Sequence, residues 1–174
     1  MRHHHLLLAA ATLIGTVACG PTAAVDPAEN RAPVGAAVPV PITRLRVEPV
    51  SFTTTSGLRS PQRTVIRDAA AWRAAWAELS ARVAPEPPLP AVDFASELVV
   101  LVALGERPTS GYQILVDSAR TTADGGVVVH VRTISPAARC GVFQVLTQPV
   151  DLARLPSVSG PITFRDQAVV VDCP

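Results

Sequence analysis

The stretch Leu98-Val99-Val100-Leu101-Val102-Ala103-Leu104 carries no polar side chain. A run this short and this rich in β-branched residues reads as a strand covered on both faces rather than as a helix. It stops at Gly105-Glu106-Arg107-Pro108-Thr109-Ser110-Gly111, a loop with glycine at both ends and proline inside. The chain then resumes with Tyr112, Ile114 and Val116 alternating against Gln113, Leu115 and Asp117, the period of a half-buried strand. A core strand therefore presents a stiff loop and returns, and the purpose of that loop is the functional question.

The rest of the chain must cover that strand. Its 174 residues allow one domain plus extensions. Only seven are aromatic (four Phe, two Trp, one Tyr), so the core is expected to be mostly Val, Leu, Ile and Ala. Asp68 is a plausible N-cap for a helix over Ala69–Val83, where Trp72, Trp76, Leu79 and Val83 share one face. The two tryptophans could form a partner-binding patch, but their place on the face of Leu79 and Val83 points to core packing. Pro85–Pro90 breaks the helix.

Strand composition marks Leu45–Thr54, with Pro49 favouring an edge or bend, and Thr64–Ile66. Val127, Val129 and Val131 form one face of another strand, after a turn at Asp124-Gly125-Gly126. Val142–Leu146 is a further candidate. Ile162–Arg165 and Ala168–Val171 read as a hairpin turning at Asp166-Gln167. The expected class is α+β: a mainly antiparallel β-sheet, curled or sandwich-like, with one N-terminal amphipathic helix packed on it.

The amino terminus reads as an export signal over residues 1–18. A short cationic start, Met1 to His5, precedes the apolar Leu6–Ala18, which is too short to span a bilayer. Thr16-Val17-Ala18-Cys19 resembles a bacterial lipobox, with Thr16 where Leu is usual. On that reading Cys19 is lipidated and the protein is anchored at the cell envelope; plain signal cleavage near Ala18 is the alternative. Residues 19–41, rich in Pro and Ala, form a tether, and residues 42–174 the β-rich domain. About 20 residues of such a tether span about 25 Å as a coil and about 65 Å when extended. With Cys19 assigned to lipid, Cys140 and Cys173 remain, and two cysteines in an exported chain as a rule pair.

Several chemistries are excluded. All fifteen basic residues are Arg, so Schiff bases, Ser-Lys dyads and a P-loop lysine are ruled out. Net charge is +1 and the arginines are scattered, which argues against nucleic acid as a partner. A metal site would want more His or Cys ligands than remain beyond the leader, and no cofactor motif is present. A hydrolase would need Ser110 as nucleophile and His130 as base. There is no G-x-S-x-G elbow, however, and His130 sits beside Arg132 on the polar face of a strand. Asp93, Glu97 and Glu106 lie near the central strand, but no spacing pairs them as an acid and base. Asp93 reads as a turn residue. No catalytic residue is expected.

The segments Val92-Asp93-Phe94, Leu98–Leu104 and Gly105–Tyr112 together resemble the PrcB C-terminal domain family. Val145-Leu146-Thr147-Gln148-Pro149 and the closing Val170-Val171-Asp172-Cys173 add to the likeness, which spans roughly Thr64 to Cys173; P-T-x-G-Y is its most specific part. The family's namesake is a lipoprotein subunit associated with a surface protease complex. The resemblance implies a non-catalytic, envelope-anchored accessory or binding domain with a protein partner. A second, shorter likeness competes. Arg107-Pro108-Thr109-Ser110-Gly111-Tyr112 is similar to the N-P-T-T-G-Y loop of chagasin-like cysteine-protease inhibitors, although their downstream G-x-G and R-P-W segments are missing. It implies that this loop wedges into a protease active site. Either way Arg107 to Tyr112 is the candidate recognition loop, unless it is merely the turn that lets the core strand fold back.

Overall fold

The computed structural model describes residues 37–46 and 56–173, and within them the chain runs β1 (Pro39–Val40), β2 (Thr43–Arg44), β3 (Gln62–Ile66), α1 (Ala69–Ser80), β4 (Glu97–Ala103), β5 (Gln113–Thr121), β6 (Val127–Pro136), β7 (Val150–Pro156) and β8 (Ile162–Val171). The strands form two four-stranded sheets, ordered β1-β5-β6-β8 and β2-β7-β4-β3. Every pairing is antiparallel except β6 with β8. The leader, Cys19 and the tether as far as residue 36 lie outside the described residues. So do residues 47–55, which hold most of the strand expected over Leu45–Thr54.

The apolar run of β4 is explained by what covers it. Leu98, Val100, Val102 and Leu104 pack with Ile114, Val116, Val129, Val131 and Leu155, in the core between the two sheets. Val99, Leu101 and Ala103 face the other way, against Trp72, Trp76, Leu79 and Leu152. The molecule is thus a two-sheet sandwich with α1 laid on the outer face of the second sheet, and β4 is sealed on both sides. Burying each large apolar side chain contributes roughly 1.5–3 kcal/mol, so this strand is the costliest place to introduce a polar residue.

Asp68 caps α1 by accepting from the Ala71 N–H at 2.8 Å. The helix ends at Ser80, three residues before the expected Val83. Past it the chain tightens into shorter-range bonds, Ala81 N–H to the Glu78 carbonyl (3.5 Å) and Val83 N–H to the Ser80 carbonyl (2.8 Å), and Pro85 follows without an N–H to continue them. Core packing is the role of both tryptophans. They are buried with ring centroids 5.5 Å apart, and their indole N–H groups donate to the carbonyls of Pro90 (2.9 Å) and Pro87 (3.1 Å). The proline-rich segment after the helix is thereby held beneath it.

Two expected elements differ. Val142–Leu146 is not a strand; its main chain bonds to another loop, as described below. Ile162–Val171 is not a hairpin but one continuous strand, parallel to β6 from Val127↔Ile162 to Pro136↔Val171. The chain does not turn there because Asp166 and Gln167 stay paired with β6, opposite Val131 and Arg132, and the Asp166 carboxylate meets Arg63 of the facing sheet. In addition, β1 lies within the stretch read as tether and pairs with β5, Val40 opposite Ala119.

The chain crosses between sheets from β1 to β2, and the exposed edge left there is closed by an ion pair. Strand β5 has a bulge between Val116 and Ser118, and β1 covers only Ala119 and Arg120 of its edge. The main chain of Val116 is satisfied from the other sheet. Its N–H donates to Asp151 Oδ2 (2.8 Å), its carbonyl accepts from Arg44 Nη2 (2.8 Å), and Arg44 Nη1 also donates to Asp151. Side chains do here what a longer edge strand would otherwise do.

Candidate functional site

The loop between β4 and β5 reverses sharply because both of its terminal glycines adopt conformations closed to other residues. Gly105 has φ 76° and a Cβ there would lie 2.8 Å from Pro61; Gly111 has φ 92° and its Cβ would lie 3.1 Å from Pro136. The Arg107 side chain turns back over the loop. Its Nη2 donates to the Leu104 carbonyl (2.9 Å), and its guanidinium carbon stands 5.8 Å from the centre of the Tyr112 ring, a cation–π distance.

A second loop, between β6 and β7, is laced to the first. Arg107 and Thr147 exchange main-chain hydrogen bonds of 2.8 and 3.0 Å. Thr147 Oγ1 donates to the Thr109 carbonyl (3.0 Å). The Ser110 N–H donates to the Phe143 carbonyl (3.0 Å), and the Phe143 N–H donates to Ser110 Oγ (2.9 Å). Below them Gln148, which is buried, donates through Nε2 to Glu106 Oε2 (2.8 Å), and its carbonyl accepts from Ser56 Oγ (3.0 Å). The disulfide Cys140–Cys173, with Cα atoms 5.4 Å apart, ties the start of this second loop to the end of β8. The result is a braced loop pair at one end of the sandwich. Its tip presents Phe143, 80% exposed, with Val145 and Leu146 beside it.

Next to the loops is an open cleft of about 150 Å³. Leu104, Arg107 and Tyr112 line one part of it; Thr133, Ile134 and Ser135 of β6 and Ala168 of β8 line the rest.

The candidate loop residues Arg107, Pro108, Thr109, Ser110, Gly111 and Tyr112 are therefore brought together as one braced turn. Ser110 and His130 are not. His130 lies on β6 opposite Ser118, four residues from the Ile134 that faces Gln113, or about 13 Å along the strand. It also sits between the buried Val129 and Val131, and so faces the other side of its sheet.

Nor do the carboxylates converge. Glu97 pairs with Arg154 (3.2 Å), and Glu106 meets Gln148 and Arg59. Asp93 closes a turn before β4. It accepts from Ser96 Oγ (2.7 Å) and the Ala95 N–H (3.1 Å), which hold its carboxyl below the usual range. Among the described residues no group of three or more His, Cys, Asp or Glu is placed to hold a metal ion, and no helix is long and apolar enough to cross a membrane.

The structured part between the start of β4 and the end of β7 contains both laced loops and the central strands of both sheets. Residues 98–156 match the PrcB C-terminal family. The resemblance carried by P-T-x-G-Y is supported on this segment, which leaves out α1, β3 and β8. No curated protein and no solved structure matches the chain.

Phe143 and Gln148 are functional candidates that reasoning along the sequence passes over. The apolar content of Val142–Leu146 reads as strand. Only the pairing of Arg107 with Thr147 reveals it as the apolar tip of a loop.

Proposed function

We propose that the chain is a non-catalytic accessory domain, anchored at the bacterial cell envelope through Cys19, whose laced loop end contacts a protein partner, as a subunit of a surface protease complex would. The observation that carries this reading is the rigid loop pair with Phe143, Val145 and Leu146 exposed at its tip. Large apolar side chains standing in water on a soluble face mark contact surfaces, and a braced loop loses less entropy on docking than a free one. The match to the PrcB C-terminal family covers both loops and supports a PrcB-like accessory domain.

Site-specific cross-linking in the native host tests this. A photoreactive residue at Phe143 or Pro108 should give one defined adduct that the same residue at Arg73, on the exposed side of α1, does not. Identical adducts from all three positions, or none, would refute the reading. If the adduct is a papain-type protease and the purified chain inhibits it, the loop acts as an inhibitor rather than as an assembly contact.

A further inference from the structure

The charge of Arg107 has no counter-ion among the described residues. The ion pairs there use Arg44, Arg59, Arg63, Arg132, Arg139 and Arg154. Arg107 spends one bond on the Leu104 carbonyl, and its Nε is buried with no acceptor among the described residues. A partly buried guanidinium in this state is costly, and its planar fork suits a carboxylate. Arg107 lines the 150 Å³ cleft, whose Leu104, Ile134 and Ala168 offer apolar surface for a side chain attached to that carboxylate.

Ala168 links the cleft to a second feature. It belongs to β8, a strand of 10 residues that pairs with β6 on one side and has no neighbour on the other among the described residues. A free strand edge offers main-chain donors and acceptors to an extended peptide. Charge, cleft and edge meet at one place. We infer that the cleft takes the C-terminal carboxylate of a polypeptide ending in a small branched apolar residue, paired to Arg107, with the preceding residues extended along the free edge of β8. The inference rests on the loop end being a protein-contacting surface and names the chemistry that it recognises.

The test is amide chemical-shift mapping on the isotopically labelled full chain, with N-acetylvaline, its amide, and a short peptide ending in valine as acid and as amide. The acid should shift Arg107, Tyr112, Ser135 and Ala168 with a Kd on the order of 1 mM, typical of a single small anchor. The peptide acid should bind on the order of tenfold tighter and also shift Val169 to Val171. Equal shifts from acid and amide would overturn the carboxylate assignment, and a peptide no tighter than N-acetylvaline would overturn the polypeptide one.

Arg107→Gln should weaken the peptide acid by at least roughly tenfold. Because Arg107 also holds the loop, Ala168→Leu is the second variant: it fills the cleft and leaves Arg107 and its bonds in place. Binding should be lost with the spectrum otherwise intact; unchanged binding by Ala168→Leu would refute the site. A single cross-linked partner from position 143, together with no shift by the acid, would refute the cleft alone and leave the loop reading standing.

Discussion

Replacing Asp151 by Ala should be among the most damaging changes that leave the hydrophobic core untouched. Its carboxylate accepts from the Val116 N–H at 2.8 Å and from Arg44, with only 14% of its side chain exposed. The substitution removes a charge-assisted hydrogen bond, worth about 1.5–3 kcal/mol, and leaves the Val116 N–H without its acceptor at the bulge. It also strands the Arg44 guanidinium, 31% exposed, without its counter-charge; partial exposure limits that part to about 1 kcal/mol. The combined loss is about 2–4 kcal/mol, a large share of the 5–15 kcal/mol typical of a domain. It corresponds to a fall in Tm of roughly 6–16 °C.

Urea unfolding monitored by tryptophan fluorescence measures the loss, since Trp72 and Trp76 are both buried on the inner face of α1. Asp151→Asn, which keeps an acceptor for Val116, should cost clearly less. Arg44→Ala and Asp151→Ala should couple by about 1–3 kcal/mol in a double-mutant cycle. If Asp151→Ala lies within about 0.5 kcal/mol of the parent, or the two substitutions simply add, the edge-closing role of this pair is wrong.

The other stability predictions concern the disulfide and acid. Changing both Cys140 and Cys173 to Ser opens a loop spanning a sequence separation of 33 and should cost about 3–4 kcal/mol on the chain-entropy account; a urea midpoint equal to that of the oxidised parent would refute this. Asp93 is held below its ordinary value by Ser96 Oγ and then the Ala95 N–H, and Asp124 by Thr122 Oγ and then the Gly126 N–H. For a carboxylate whose folded pKa is depressed, the stability is present above the unfolded value near 3.8 and is lost as pH falls through the folded value. Asp93→Asn with Asp124→Asn should therefore flatten the acid limb of a plot of unfolding midpoint against pH. An acid limb as steep as the parent's would count against it.

Local chemistry made much of this legible in the sequence. An apolar run shorter than a helix, the alternation after Tyr112, the cap at Asp68 and the tryptophan spacing each depend on neighbours within a few residues, and each reappears in the structure. Gly105 and Gly111 marked the loop because their positive φ angles are local requirements. The same short-range logic misreads Val142–Leu146 and the Asp166-Gln167 step. Whether apolar residues pair as a strand, or Asp turns the chain, depends on what lies opposite.

The sequence by itself determined that β4 must be covered on both faces, that the loop after it is tight, and that lysine-based chemistry is closed to this chain. Which elements do the covering was left to tertiary structure: the second sheet on one side, α1 on the other. Tertiary structure also decided that β8 runs parallel to β6, that Arg44 and Asp151 close the edge of β5, and that the loops at Arg107 and Thr147 are laced into one end. The reason is physical. A residue's conformation and its apolar or polar character are properties of short segments, whereas hydrogen-bond partners here come from residues 35 and 72 positions away and the counter-ion of Arg44 from 107 positions away. Arg107, written as one more scattered arginine in the sequence, becomes a partly buried cation with no counter-ion among the described residues only once the two sheets have come together around it.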